Sequence, residues 1–153
     1  MIQGKQVLGR GQISSKYGVV AMKAGNAILD DLLRTTVRPE LEERLGYKLV
    51  DMRDVSQAGI VDNLVRAQIR DAAFVLADLT DNNSGAYWQA GYAEGLGKPV
   101  IYICEKARFD EAQIHFDTNH CTTVCWIPNE FGRFADELVA TLRRFLNLFP
   151  AAP

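Results

Sequence analysis

Apolar and polar positions divide the chain into short apolar runs that alternate with longer amphipathic stretches. Tyr17 to Met22 (YGVVAM) is a β-branched apolar run, and from Asn26 to Leu45 apolar residues recur at helical spacing through Ile28, Leu32, Leu33, Leu41 and Leu45. A strand followed by a helix is predicted. Pro39 lies inside that helical pattern. A proline lacks an N–H and clashes with the carbonyl four residues back, so a break and restart is expected near Arg38, with Gly46 ending the helix. YKLVD supplies a second strand, and Gly59 to Arg70 a second amphipathic helix through Ile60, Leu64, Ala67 and Ile69. AFVLAD is apolar until its aspartate, the pattern of a strand buried on both faces. After the polar loop LTDNNSG, a helix is predicted from Ala86 to Leu96, stopped by Gly97. PVIYIC and TTVCW are the fourth and fifth strands, separated by a longer segment, Glu105 to Cys121. A last helix carries Phe131, Phe134, Leu138, Leu142 and Phe145 on one side.

Strands alternating with helices at this spacing specify a parallel sheet covered on both faces, because parallel neighbours are joined by right-handed crossovers. The expected fold class is α/β, a three-layer sandwich of flavodoxin-like or Rossmann-like type with five parallel strands in the order 2-1-3-4-5. The 153 residues are expected to form one domain, with Met1 to Lys16 a lead-in or an edge hairpin and the tail after Phe149 frayed.

Composition narrows the class of partner. The longest apolar runs fall far short of the roughly 20 residues of a membrane span, and the N-terminus has no basic-then-apolar leader, so a cytosolic location away from membranes is expected. Net charge is −2 and the Lys and Arg residues are interspersed with acidic ones, a pattern unlike a nucleic-acid surface. A small-molecule ligand is the better expectation. Cys104, Cys121 and Cys125 are an odd count, read as buried thiols rather than a disulfide framework. His115 and His120 lie nearby, but if Cys121 and Cys125 share a strand their Cα atoms stand roughly 13 Å apart, too far to ligate one tetrahedral ion. No metal and no cofactor is expected.

In open parallel sheets ligands bind beyond the carboxyl ends of the strands, where strand order reverses. Three loops qualify: Met22 to Gly25, Asp78 to Gly85, and Glu105 to His120. Neither a dinucleotide fingerprint nor a phosphate-binding P-loop is present, and GLGKP stands at a helix end ahead of a strand, the wrong context for either. Asp78 closes a buried strand, where a carboxylate costs free energy unless it is hydrogen-bonded or used; its plainer role is to cap the following loop. Asn82, Asn83 and Ser84 can serve as turn formers and caps. Tyr87, Trp88 and Tyr92 can be packing or the walls of a flat pocket for a base.

The stretch ADLT, a polar loop with Asn83 and Gly85, then YWQAGYAEGLGKPVIY, resembles the motif of nucleoside 2-deoxyribosyltransferase-like proteins. VVAMK, GIVDNLVRAQIRDAAFVLADLT and IHFDTNH extend the likeness over about Tyr17 to Leu146. The resemblance implies an oligomeric, cofactor-free enzyme acting on a small nucleoside or nucleotide by breaking the bond between a base and C1′ of its sugar. A glutamate of the motif attacks C1′ through an oxocarbenium-like transition state, as in retaining glycosidases, and an acid assists departure of the base. That nucleophile position falls on Gln89, whose neutral amide cannot do this. Two readings compete: a Glu→Gln replacement that would trap a ligand, or a relative that binds without cleaving. The resemblance places Asp78 and Asn83 at sugar or base contacts. It puts Gly85, Trp88 and Tyr92 around the pocket, Met22 and Lys23 in the first-strand loop, and His115, Asp117 and Asn119 in the same or a neighbouring subunit's site. Lys23 pairing with a phosphate would favour nucleotides; its plainer reading is a solvated turn lysine, and that of His115, Asp117 and Asn119 a loop latch. Hydrolysis is favoured over transfer to a second base. NAD cleavage of the kind seen in TIR domains, a role in toxin or anti-phage systems, and a non-catalytic nucleotide sensor are the other readings the resemblance leaves open.

Overall fold

The computed structural model describes residues 6–8, 12–14, 16–56, 61–111 and 122–147. Gln6–Leu8 (β1) and Gln12–Ser14 (β2) pair antiparallel in a two-stranded sheet of their own. The main sheet is built from Tyr17–Ala21 (β3), Lys48–Asp51 (β4), Val75–Asp78 (β5), Val100–Glu105 (β6) and Thr123–Trp126 (β7). All neighbours are parallel and the order is β4-β3-β5-β6-β7, which is the expected 2-1-3-4-5 counted over these five strands.

Ala27–Leu32 (α1) and Arg38–Leu45 (α2) cover one face together with Phe131–Phe145 (α7). Their core runs through Leu29, Leu32, Leu41, Phe74, Leu76, Ile101, Ile103, Trp126 and Leu138. Met52–Ser56 (α3), Val61–Asp71 (α4) and Ser84–Gly95 (α5) cover the other, packing Met52, Val65, Ile69, Ala90 and Ala93 over Val19, Val75, Ala77 and Tyr102. β5 and the residue before it show why a central strand reads as a continuous apolar run: Phe74 and Leu76 enter the first core, Val75 and Ala77 the second. A short helix, Lys106–Asp110 (α6), follows β6. Gly46 and Gly97 both take left-handed backbone, at φ 74°, and close their helices as expected.

The expected break near Arg38 does not occur. Leu33–Val37 forms a π turn that joins α1 to α2 without leaving helical conformation, with the Arg38 N–H donating to the Leu33 carbonyl five residues back. Widening the helix there absorbs the donor that Pro39 lacks, and the proline sits in the first turn of α2, where no N–H is needed. α5 starts at Ser84, two residues earlier than expected, because Asn83 caps it. α3 and α6 have no counterpart in the sequence pattern; five residues are too few to show a period. Among the described residues, no helix is long and apolar enough to cross a membrane.

Candidate active site at the carboxyl end of the sheet

Asp78 ends β5 and has no exposed surface. It pairs in register with Ile103, so it leaves the strand on the α1/α7 side, as Leu76 does beside Ile101. Its Oδ1 accepts the Thr80 hydroxyl at 2.6 Å and the Thr80 amide at 3.1 Å, while Oδ2 is buried without a hydrogen-bond partner. Burial pushes the carboxyl up to about 6 against the opposing pull of the Thr80 hydrogen bonds. The Thr80 hydroxyl in turn accepts the Glu105 amide at 3.0 Å, so one side chain ties the ends of β5 and β6.

A raised carboxyl pKa has a definite consequence for stability. Below about pH 4 Asp78 is protonated in both states. Between there and about pH 6 the unfolded chain ionises while the folded chain holds its proton, so stability falls as pH rises across that window. About two pKa units correspond to ~3 kcal/mol. Asp78→Asn should therefore gain stability relative to the parent between pH 4 and pH 7, by up to that amount, in urea unfolding at the two pH values. A difference that stays constant with pH would contradict a protonated Asp78.

The loop after β3 approaches from the side. Asn26 caps α1 by accepting the Leu29 amide at 3.0 Å, and its Nδ2 donates to Asp81 Oδ2 at 3.2 Å, joining the β3 and β5 loops. Lys23, Ala24, Gly25, Ile28 and Asp81 line an open hollow of about 430 Å³ between them. Lys23 is exposed there, whereas Met22 is 5% exposed and packs in the core. Beyond the end of β4 a second hollow, about 550 Å³, holds an ion-pair cluster. Arg53 donates to both oxygens of Asp51 and lies 2.8 Å from Asp30. Burial raises the Asp51 carboxyl, but the hydrogen bonds and charge of Arg53 outweigh it and hold the carboxyl below its usual range.

On α5, Asn83 caps the helix by accepting the Gly85 amide at 2.9 Å. Gln89, in the second turn, is half-buried, and its Oε1 is shut off from solvent with no hydrogen-bond partner. Side chains on a helix lean toward its N-terminus, here the carboxyl end of β5. Trp88 faces outward and Tyr92 is half-buried against the core of that face; their rings stack at 5.7 Å, Arg66 of α4 lies over Trp88, and with Arg70, Tyr87 and Gly91 they line a shallow hollow of about 610 Å³. This hollow shares no lining residue with the one beside Lys23.

Asp78 Oδ2, Gln89 Oε1 and Trp126 Nε1 are the buried side-chain atoms among the described residues that have neither a hydrogen bond nor an ion pair. Asp78 and Trp126 end their strands, and Gln89 follows the loop after β5. A buried polar atom without a partner costs about 1–3 kcal/mol, and all three lie toward the carboxyl end of the sheet.

No protein-family model matches the chain, and no curated protein matches it either. Among solved structures, the CMP N-glycosidase BcmB of Clostridium botulinum aligns at 18% identity over 80% of this chain and 98% of its own, with a TM-score of 0.51. A 2-desoxiribosyltransferase from Leishmania mexicana aligns at 20% identity over 60% of this chain, with a TM-score of 0.49; the match spans 66% of that protein's length. The chain shares its fold with the CMP N-glycosidase.

His115, Asp117 and Asn119 lie outside the described residues, as do His120 and Cys121. Cys104 and Cys125 stand side by side on β6 and β7, and burial, then the Asp78 charge, pushes the Cys104 thiol up to about 12, which keeps it unreactive. Among the described residues no three His, Cys, Asp or Glu side chains are grouped to hold a metal. The sequence pattern does not single out Thr80, Asp81, Asn26 or Arg66. Thr80 had a signal, since a hydroxyl two residues after a strand-ending aspartate is placed to hydrogen-bond it; the other three are brought in by the fold alone.

Proposed function

We propose that the chain binds a nucleoside or nucleotide across the carboxyl ends of β3 and β5, in a site of the kind that cleaves an N-glycosidic bond. The concentration of unpartnered buried polar atoms at that end carries the reading. The fold shared with a CMP N-glycosidase and the motif around residue 89 support it, and make CMP the first ligand to test. Asp78 and Gln89 stand on opposite sides of the sheet, so a ligand that engages both lies over the end of β5. Both oxygens are closed off from solvent, so the side chains covering them part on entry; once inside, the ligand meets dipoles that water does not screen.

With a carboxylate at position 89, its oxygen attacks C1′, the C1′–N bond breaks, and the base leaves with a proton from Asp78 Oδ2. Water then attacks C1′, giving its proton back to Asp78 Oδ2, and the sugar leaves the ester, which restores the carboxylate. Gln89 cannot form that ester, so the chain as it stands holds the ligand without turning it over. The test compares the parent with Gln89→Glu on CMP, other nucleoside monophosphates, deoxynucleosides and NAD, with free base followed by chromatography. Base release is expected only from Gln89→Glu. If a folded Gln89→Glu protein releases base from none of these, the enzymatic reading fails; tight binding of one of them by both forms would then leave a nucleotide sensor. Nicotinamide release alone would move the substrate class to NAD.

A further inference from the structure

The polarity of the hydrogen bonds at the end of β5 fixes which carboxyl oxygen of Asp78 is free. The Glu105 amide can only donate, so the Thr80 hydroxyl oxygen accepts it. The single hydroxyl hydrogen of Thr80 is then available to Asp78 Oδ1, 2.6 Å away, which also takes the Thr80 amide at 3.1 Å. Thr80 is 7% exposed, Asp78 is fully buried, and Glu105 ends the neighbouring strand, so each partner is held by backbone that belongs to the sheet or directly follows it.

We propose that Thr80 is the positioning residue of this site: anchored by the Glu105 amide, its hydroxyl locks Asp78 Oδ1 as an acceptor and leaves Oδ2 as the one oxygen able to exchange a proton with a bound ligand. Without Thr80 the carboxyl can rotate and present either oxygen. With it, a proton taken up by Asp78 resides on Oδ2. The structural half of this stands alone, while its consequence for base departure rests on the N-glycosidic reading.

The test titrates Asp78 by carboxyl carbon NMR in the otherwise unmodified protein, which needs no turnover. A hydrogen bond donated to the ionised carboxylate favours that form. Thr80→Val should therefore raise the Asp78 midpoint by about one unit, a tenfold change in proton affinity, and Thr80→Ser should restore it. A midpoint that does not move, or that falls because Asp78 had been donating to Thr80, overturns the proposal. So does a Thr80→Ser protein that behaves like Thr80→Val. Should Thr80→Val fail to fold, the Thr80 amide proton of the parent gives the same answer: it should shift downfield as Asp78 ionises, and an amide that does not follow that midpoint overturns the proposal. In the Gln89→Glu background the pH profile of base release should move with the titration. Absence of base release with the titration as expected would count against the N-glycosidic reading and leave the positioning role in place.

Discussion

Asp78→Asn in the Gln89→Glu background is expected to slow release of cytosine from CMP by roughly 10²–10⁴-fold, the range over which a positioned acid assists a departing base. An amide of nearly the same shape preserves the contact with Thr80 but has no proton to transfer, so the loss should fall on kcat with KM little changed. The leaving group supplies a control. Cytosine departs poorly unless it is protonated, whereas nicotinamide leaves NAD as a neutral molecule and needs no proton. If NAD is turned over at all, its cleavage should be nearly indifferent to Asp78→Asn. Equal losses on both substrates would mean that Asp78 binds the sugar or holds the loop and is no acid. The pH dependence adds a second check. Asp78 holds its proton up to about pH 6, so an acid-catalysed step should decline as pH rises through that value.

Phe74→Ala is expected to destabilise the fold by ~3–5 kcal/mol, the usual cost of emptying a large aromatic site in a core. Phe74 enters β5 with no exposed surface and packs edge-on against Tyr47 at 5.7 Å. Its ring occupies the space beside Gly18, where an added Cβ would come within 2.2 Å of the ring carbons. Gly18→Ala should therefore also destabilise, by ~1–3 kcal/mol. Combined with Phe74→Ala the two should cost less than their sum, because the smaller side chain vacates the space that the methyl needs. Urea unfolding of the four proteins measures this coupling, and strict additivity would contradict the close approach of β3 to Phe74. The pair matters to the site because β3 and β5 deliver the loops of Lys23 and Asp78.

The strand and helix pattern is legible in the sequence because both faces of the sheet are covered. Phe74, Leu76, Val75 and Ala77 alternate between two cores and so read as one apolar run, and the right-handed crossovers then leave few possible strand orders. Pro39 misleads for a physical reason: the rule about proline assumes an α-helix, and the π turn Leu33–Val37 removes the clash on which the rule depends. The carboxyl-end rule leads to Asp78, Asn83 and Lys23 from the amino-acid sequence alone, since it depends only on strand direction. It cannot say that Met22 turns into the core or that Trp88 and Tyr92 stack on one another beside Arg66, because those outcomes depend on how the helices lie against the sheet. Nor can residue types alone show that Asp78 keeps one oxygen free, which follows from a hydrogen bond between Thr80 and the backbone of a strand 25 residues away in sequence.

Position 89 is tested most directly by the mass of the protein itself. Gln89→Glu protein is mixed with CMP, quenched in acid within the first turnover, and weighed intact and as peptides. The expected result is a population heavier by one phosphopentose, with the added mass on the peptide that carries residue 89. Free cytosine accumulating while that peptide stays unmodified, or the sugar appearing on a different residue, would contradict a nucleophile at this position.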